Sequence, residues 1–264
     1  MSRIWTIARN TFRENIRDKV LYNLILFALV MILSSIGLGQ LTLGNEDKVI
    51  LDLGLTSISL FGVLIAIFIG IGLVYKELEK RTVYVLLAKP VHRYELILGK
   101  YAGLLITLFV NLVIMTAGLE IILLCHGGIG AVGHLNILPA ACLIFLSLAL
   151  VTALALLFST FSTPALSALY TFFLWVIGHF GSDLESFGEY AKSAAAKWVC
   201  RALYYVIPNF SNFQIIDSGN ILPDASFYQP IDYLAFMEVA LYCILYCAVV
   251  VSLSAAIFVR RDFK

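Results

Sequence analysis

Six apolar runs, each close to the length that crosses a bilayer, decide what this chain can fold into. They lie at roughly Val20 to Leu38, Leu55 to Tyr75, Tyr101 to Leu124, Asn136 to Phe158, Ala165 to Gly181 and Phe236 to Val259. In hydrocarbon every backbone N–H and C=O must be satisfied within the chain, which leaves helices or a closed barrel. The runs are continuous rather than alternating, so the barrel pattern is absent and helices remain. With 61% hydrophobic and 13% charged residues and a mean hydropathy of +0.94, the chain is too poor in charge to cover a soluble domain of this size. The expectation is an all-α membrane protein of six transmembrane helices, a single membrane domain over residues 1–264.

The basic residues assign the sides. Arg3, Arg9, Arg13, Arg17 and Lys19 precede the first run, six more stand between Lys76 and Lys100, and Arg260, Arg261 and Lys264 close the chain, fourteen in all. The opposite loops hold Lys48, Lys192, Lys197 and Arg201. The positive-inside rule therefore puts both termini and the segment 76–100 in the cytoplasm, in agreement with an even number of spans. The Arg-rich start and the long first run do not match a cleavable signal peptide, so the first span is expected to remain. The net charge of +1 is spent on topology, and nucleic acid is not an expected partner.

Ahead of the first span, within residues 1–19, Trp5, Ala8, Phe12 and Ile16 recur at helical spacing while Arg9, Arg13 and Arg17 occupy another face. That pattern fits an amphipathic helix at the inner membrane surface. In the second span Gly62, Ala66 and Gly70 form a small-residue stripe, and in the third Gly99, Gly103, Thr107 and Asn111 share a face. Such residues serve close helix packing or line a translocation path, and Asn111 is expected to turn inward for a hydrogen bond. Between the fourth and fifth spans Thr163 and Pro164 mark a tight turn, with Thr163 as the cap.

The outer segment 182–235 opens with Leu184, Phe187, Ala191, Ala194, Trp198 and Tyr205 at helical intervals, then turns to loop around Pro208, Pro223 and Pro230. On that side stand ionisable candidates, Glu120 and Glu238 near the ends of their spans, with Cys125, His126, His134 and His179. Their spacing defines no metal site. They do support a different class of reading, a membrane redox or metal-handling protein, against which the rest must be weighed. The five cysteines contain no CxxC, and most fall in spans where a thiol packs as a small apolar group; Cys125 and Cys200 both fall on the outer side, but a disulfide between them is not expected.

No catalytic constellation is legible. The phosphate-cradling pattern GxxxxGK[ST] is missing, because Gly99-Lys100 runs into Tyr101 without an upstream glycine. Gly128-Ile129-Gly130-Ala131-Val132-Gly133 spells GxGxxG but joins two spans instead of a strand and a helix, so it reads as a turn. HExxH and GxSxG are absent as well.

The charged segment 76–100 remains. Lys76 to Arg81 prolong the second span, Thr82 caps a short helix through Val83, Val85, Leu86 and Leu87, and Pro90 breaks the chain before a second short helix from His92 to Leu98. The short helix is too small to span and forms an apolar knob beside charges, a shape suited to a cleft on another protein.

The order Glu79, Arg81, Thr82, Leu86-Leu87, Lys89-Pro90-Val91, Arg93 and Gly99-Lys100 resembles the first cytoplasmic loop of ABC exporter permeases of the ABC-2 type. The N-terminal helix, the Phe161-Ser162-Thr163-Pro164 turn and the closing Phe258 to Phe263 are similar to that family too. His92 departs from the Ser or Thr that many relatives carry there. The resemblance implies a permease subunit without a catalytic site or cofactor of its own, in the cytoplasmic (inner) membrane, paired with a second copy. Two separate ATP-binding subunits would bring ATP and Mg. It further implies that Thr82 to Ala88, with Val85, Leu86 and Leu87, dock in the ATPase while Glu79, Arg81, Lys89, Pro90 and Arg93 orient the contact.

Overall fold

The computed structural model describes residues 3–40, 46–79, 93–126, 131–181, 207–216, 218–222 and 230–260, with isolated positions 197, 198, 200 and 204. Among them are seven helices of more than one turn and no strand: α1 (Arg3–Asn15), α2 (Lys19–Gly39), α3 (Glu46–Glu79), α4 (Arg93–His126), α5 (Ala131–Ser159), α6 (Pro164–His179) and α7 (Tyr233–Arg260). A 3-10 turn at Ser211–Gln214 and a single helical turn at Ser218–Ile221 lie between α6 and α7.

Five of these helices, α2, α3, α4, α5 and α7, are long and apolar enough to cross a membrane. The sixth expected span, α6, is apolar but has 16 residues, about 24 Å at 1.5 Å per residue, short of the ~30 Å hydrocarbon core. By the same rise the 34 residues of α3 and of α4 make rods of about 50 Å. Both start earlier or end later than their apolar runs: α3 opens at Glu46 rather than Leu55, and α4 opens at Arg93.

Local chemistry sets several boundaries. Asp18 caps α2 by accepting from Val20 N at 3.1 Å, and Asp232 caps α7 by accepting from Leu234 N at 3.0 Å. At α6 the expected positions hold, with Thr163 at the cap and Pro164 in the first turn, but the Thr163 hydroxyl makes no capping hydrogen bond. Glu46 and Asp47 sit in the first turn of α3, where the positive end of the helix dipole favours acids.

The bundle is layered around α3 and α5, whose spans are the most buried, while α2 and α7 turn most of their surface outward. Tyr22, Leu26, Phe27 and Leu33 of α2 and Leu234, Met237, Leu241 and Val249 of α7 are exposed apolar groups, the arrangement a lipid-facing surface requires. Successive spans alternate in direction. Thus α3 and α5 run parallel, with Gly62 against Leu148 and Gly70 against Ala155, and the α3 end, the α4 start and the α5–α6 turn share one end of the bundle.

The α3–α5 seam depends on glycine. A Cβ at Gly62 would stand 2.8 Å from Leu148 Cδ1, and one at Gly70 would stand 2.9 Å from Ala155 Cβ. A leucine methyl can swing away; an alanine Cβ moves only with its backbone. Alanine gains about 1 kcal/mol of helix propensity over glycine, against overpacking of about 1–3 kcal/mol. Gly70→Ala is therefore expected to lower the thermal unfolding midpoint of the detergent-purified protein. Gly37→Ala, where the added Cβ meets nothing within 4 Å, is expected to hold or raise it. Equal midpoints for the two variants would refute this account of the seam.

Candidate functional site

Two regions of the bundle carry polar chemistry, one at each end. At the end shared by α1 and the start of α4, the two helices run side by side in the same direction. Arg3 stands 3.9 Å from Glu95. Gly99 receives Ile7, Gly103 receives the Ala8 carbonyl and Thr11, and Asn15 Nδ2 donates to Thr107 Oγ1 at 3.1 Å. Each contact is one turn beyond the last on both helices. The bundle face of α1 is thus Ala8, Thr11 and Asn15, all buried, with Ile4 and Ile7 half-buried beside them.

Of the apolar stripe expected on α1, Ala8 is buried on that face, Trp5 is exposed, Phe12 and Ile16 are half-buried, and the Arg9, Arg13 and Arg17 row is exposed. Asn15 takes a buried position because its hydrogen bond to Thr107 offsets its desolvation, while Thr11 packs against Gly103. Past the break at Ile16 to Asp18, α2 continues along the same neighbour, with Leu29 against Gly118.

The third-span face is otherwise as follows. Thr107 also donates to the Gly103 carbonyl at 2.9 Å. Asn111 does turn inward, but its buried Nδ2 finds no partner, contrary to expectation. The side chains one turn away on α4, Leu108 and Met115, are buried apolar groups that offer no acceptor, and an orphaned amide of this kind costs about 1–3 kcal/mol. Gly62, Ala66 and Gly70 are buried in the α3–α5 seam.

Of the residues assigned to ATPase contact, Glu79 is the last residue of α3 and Arg93 the first of α4. Arg81, Thr82, Val85, Leu86, Leu87, Lys89 and Pro90 lie outside the described residues, as do most of the outer helix expected before Pro208 and the Gly128 to Gly130 turn.

At the opposite end, Glu120 of α4 pairs with His134 of α5, Oε2 to Nδ1, at 2.7 Å. Glu238 is exposed on α7. Among the described residues no three His, Cys, Asp or Glu side chains gather as metal ligands. Cys125 and Cys200 are free, and Cys142 is exposed, unlike the buried Cys243 and Cys247.

This end also holds a cavity of about 340 Å³ that the sequence did not reveal. Asp52, Thr56 and Ser59 line it from one face of α3, Ile144 and Ser147 from α5, and His179 from the end of α6. Residues 207–216 cover it, presenting Phe210, Phe213 and Gln214. The cover is fastened at several points. Phe210 N donates to the Gly178 carbonyl at 2.8 Å, Asn209 N donates to Tyr242 Oη at 3.1 Å, and Asn209 Oδ1 accepts from Ser211 Oγ at 2.6 Å.

Gly178 is required for this closeness, since a Cβ there would lie 2.4 Å from the Pro208 carbonyl oxygen. His179 is held edge-on to Trp175, centroids 4.6 Å apart, and stacked on Phe210 at 5.8 Å and 6°. Its Nδ1 lies 2.8 Å from the Trp175 carbonyl. A carbonyl can only accept, so Nδ1 carries a proton and donates it.

A search among curated proteins returns no match. The family model described as ABC-2 family transporter protein matches residues 5–263. That match reaches every helix described above, from the third residue of α1 to the end of α7, and the chain belongs to this family of membrane transporter proteins.

Proposed function

We propose that the chain is the permease subunit of an ATP-driven exporter in the cytoplasmic membrane, working as a pair of copies with two separate ATP-binding subunits. The family match across residues 5–263 carries this reading. The helix geometry supports it. The long rods α3 and α4 end and begin at either side of residues 80–92, so a push on that segment is delivered to both. From there α3 bears on α5 through Gly62 and Gly70, and α4 bears on α1 through Gly99 and Gly103. A docked ATPase thereby gains a mechanical route into the bundle.

In this reading α6 is a sixth, short span, both termini face the cytoplasm, and the path runs between the two copies. The unpaired exposed faces of α2 and α7 are the surfaces open to lipid and to the second copy. ATP and Mg belong to the partner. A metal-handling or redox role receives no support from the outer groups, since Glu120 is occupied by His134 and no third donor joins them among the described residues.

The experiment is affinity purification of the chain from the membranes of its own cells, followed by ATPase assays with a panel of amphiphiles. Co-purification of an ATP-binding protein in equal amount, with turnover altered by at least one amphiphile, is the expected result. Isolation without any ATP-binding protein under conditions that keep the chain folded would sink the proposal.

A further inference from the structure

We propose that the cavity beneath residues 207–216 binds an organic ammonium group carried on a small apolar body. The cavity lies within a single chain, between α3, α5 and α6, so the site does not depend on the path proposed between copies.

Asp52 decides the charge of the ligand. It is half-buried, one and a half turns inside α3, and it has neither an ion pair nor a hydrogen bond among the contacts of the described residues. The cavity lining contains no Lys or Arg. A carboxylate left unpaired at the margin of hydrocarbon is costly, and such residues mark ligand sites by default.

The other lining groups decide what kind of cation fits. A divalent metal would ask for six or more oxygen ligands, commonly with several carboxylates, whereas no cluster of three acidic, His or Cys groups exists among the described residues. A primary ammonium has three N–H donors and needs one carboxylate plus neutral acceptors. Thr56, Ser59 and Gln214 supply such oxygens around the same space. Phe213 and Phe210 contribute aromatic rings, whose negative faces attract a cation, and Leu55 and Ile144 leave room for an apolar body. The volume of about 340 Å³ suits one ring or a short chain, at the small end of ligand cavities. The ammonium can belong to a free amine or to an ethanolamine lipid headgroup.

The test measures the thermal unfolding midpoint of the full chain in detergent against ligand concentration. 2-Phenylethylammonium is expected to raise the midpoint saturably, while its neutral counterpart 3-phenylpropanol does not. Asp52→Asn should weaken the effect at least tenfold, and Glu238→Gln, on the exposed face of α7, should leave it unchanged. A short-chain phosphatidylethanolamine that stabilises where phosphatidylglycerol does not would identify the headgroup as the source. Stabilisation by the free amine alone would identify a soluble amine. The proposal is overturned if the neutral analogue stabilises equally, if Asp52→Asn responds like wild type, or if no ammonium compound has an effect. The comparison of charged and neutral ligands uses the wild-type protein, so it decides the matter even if Asp52→Asn does not fold.

Discussion

Gly103→Val is expected to pull α1 off the bundle and lower the unfolding midpoint of the detergent-purified protein by several degrees. An added Cβ at this position would stand 2.6 Å from the Ala8 carbonyl oxygen and 2.6 Å from Thr11 Cβ. Neither obstacle can rotate away, since one is backbone and the other is fixed to it. The two helices must separate, and separation stretches the Asn15–Thr107 hydrogen bond one turn further on, now 3.1 Å. Overpacking of about 1–3 kcal/mol then adds to about 1 kcal/mol or more for the lost buried bond. A combined loss of about 3 kcal/mol corresponds to a midpoint lower by roughly 6–12 °C in a chain of this size.

Gly37→Val is the control, because it introduces the same side chain on a membrane helix where a Cβ meets nothing within 4 Å. Equal midpoints for Gly103→Val and Gly37→Val would show that the α1 contact contributes nothing to stability. A second readout separates docking from general damage. Asn15→Leu removes the hydrogen bond without a clash, so it should loosen α1 by a smaller step, measured as faster proteolysis of the N-terminal segment.

What hydropathy makes legible is the set of apolar windows, and these appear as helices at the expected places because burial in lipid leaves the backbone little choice. The ends were harder. Glu46, Asp47 and Asp52 look like loop residues beside an apolar run, yet the first two favour a helix N-terminus and Asp52 lies on the cavity face of α3. The docked face of α1 was hidden for a related reason. Asn15 is buried because Thr107 lies opposite, and a partner ninety-two positions away leaves no trace in local periodicity.

The cavity shows the same limit more sharply. Its walls come from α3, α5, α6 and residues 207–216, and none of these segments alone resembles a site. A signal was present in the buried glycine at 178 beside His179, since a glycine next to an aromatic ladder marks close backbone approach, but its meaning depended on where Pro208 and Phe210 return. Conversely, the segment that the sequence proposes as the coupling element, residues 80–92, lies outside the described residues.

Arg81→Glu combined with Leu86→Asp is expected to abolish capture of the ATP-binding subunit while leaving the permease folded. Both residues lie in the segment 80–92, outside the described residues, between the ends of α3 and α4. The midpoint is expected to stay at the wild-type value, and measuring it separates a lost docking contact from a damaged fold. At the proposed contact the two changes act differently. Leu86→Asp removes an apolar group from the cleft and leaves a carboxylate there unpaired, a penalty of about 3–5 kcal/mol for a buried charge. Arg81→Glu turns an attraction into a repulsion at the rim, which slows association more than it speeds dissociation.

A loss of about 4 kcal/mol weakens binding roughly a thousandfold, enough to empty a pull-down. Leu86→Ala should give an intermediate result, because it removes the contact without introducing charge. Lys197→Glu serves as the control, being an exposed position among the residues that the charge count places on the opposite side. If the double variant still recovers the ATP-binding subunit and its stimulated turnover, residues 80–92 are not the coupling element, and the route through α3 and α4 loses its input. If capture fails while the midpoint holds, the long rods acquire the purpose their length implies, carrying the stroke of a docked subunit into a bundle too tightly seamed by glycine to absorb it locally.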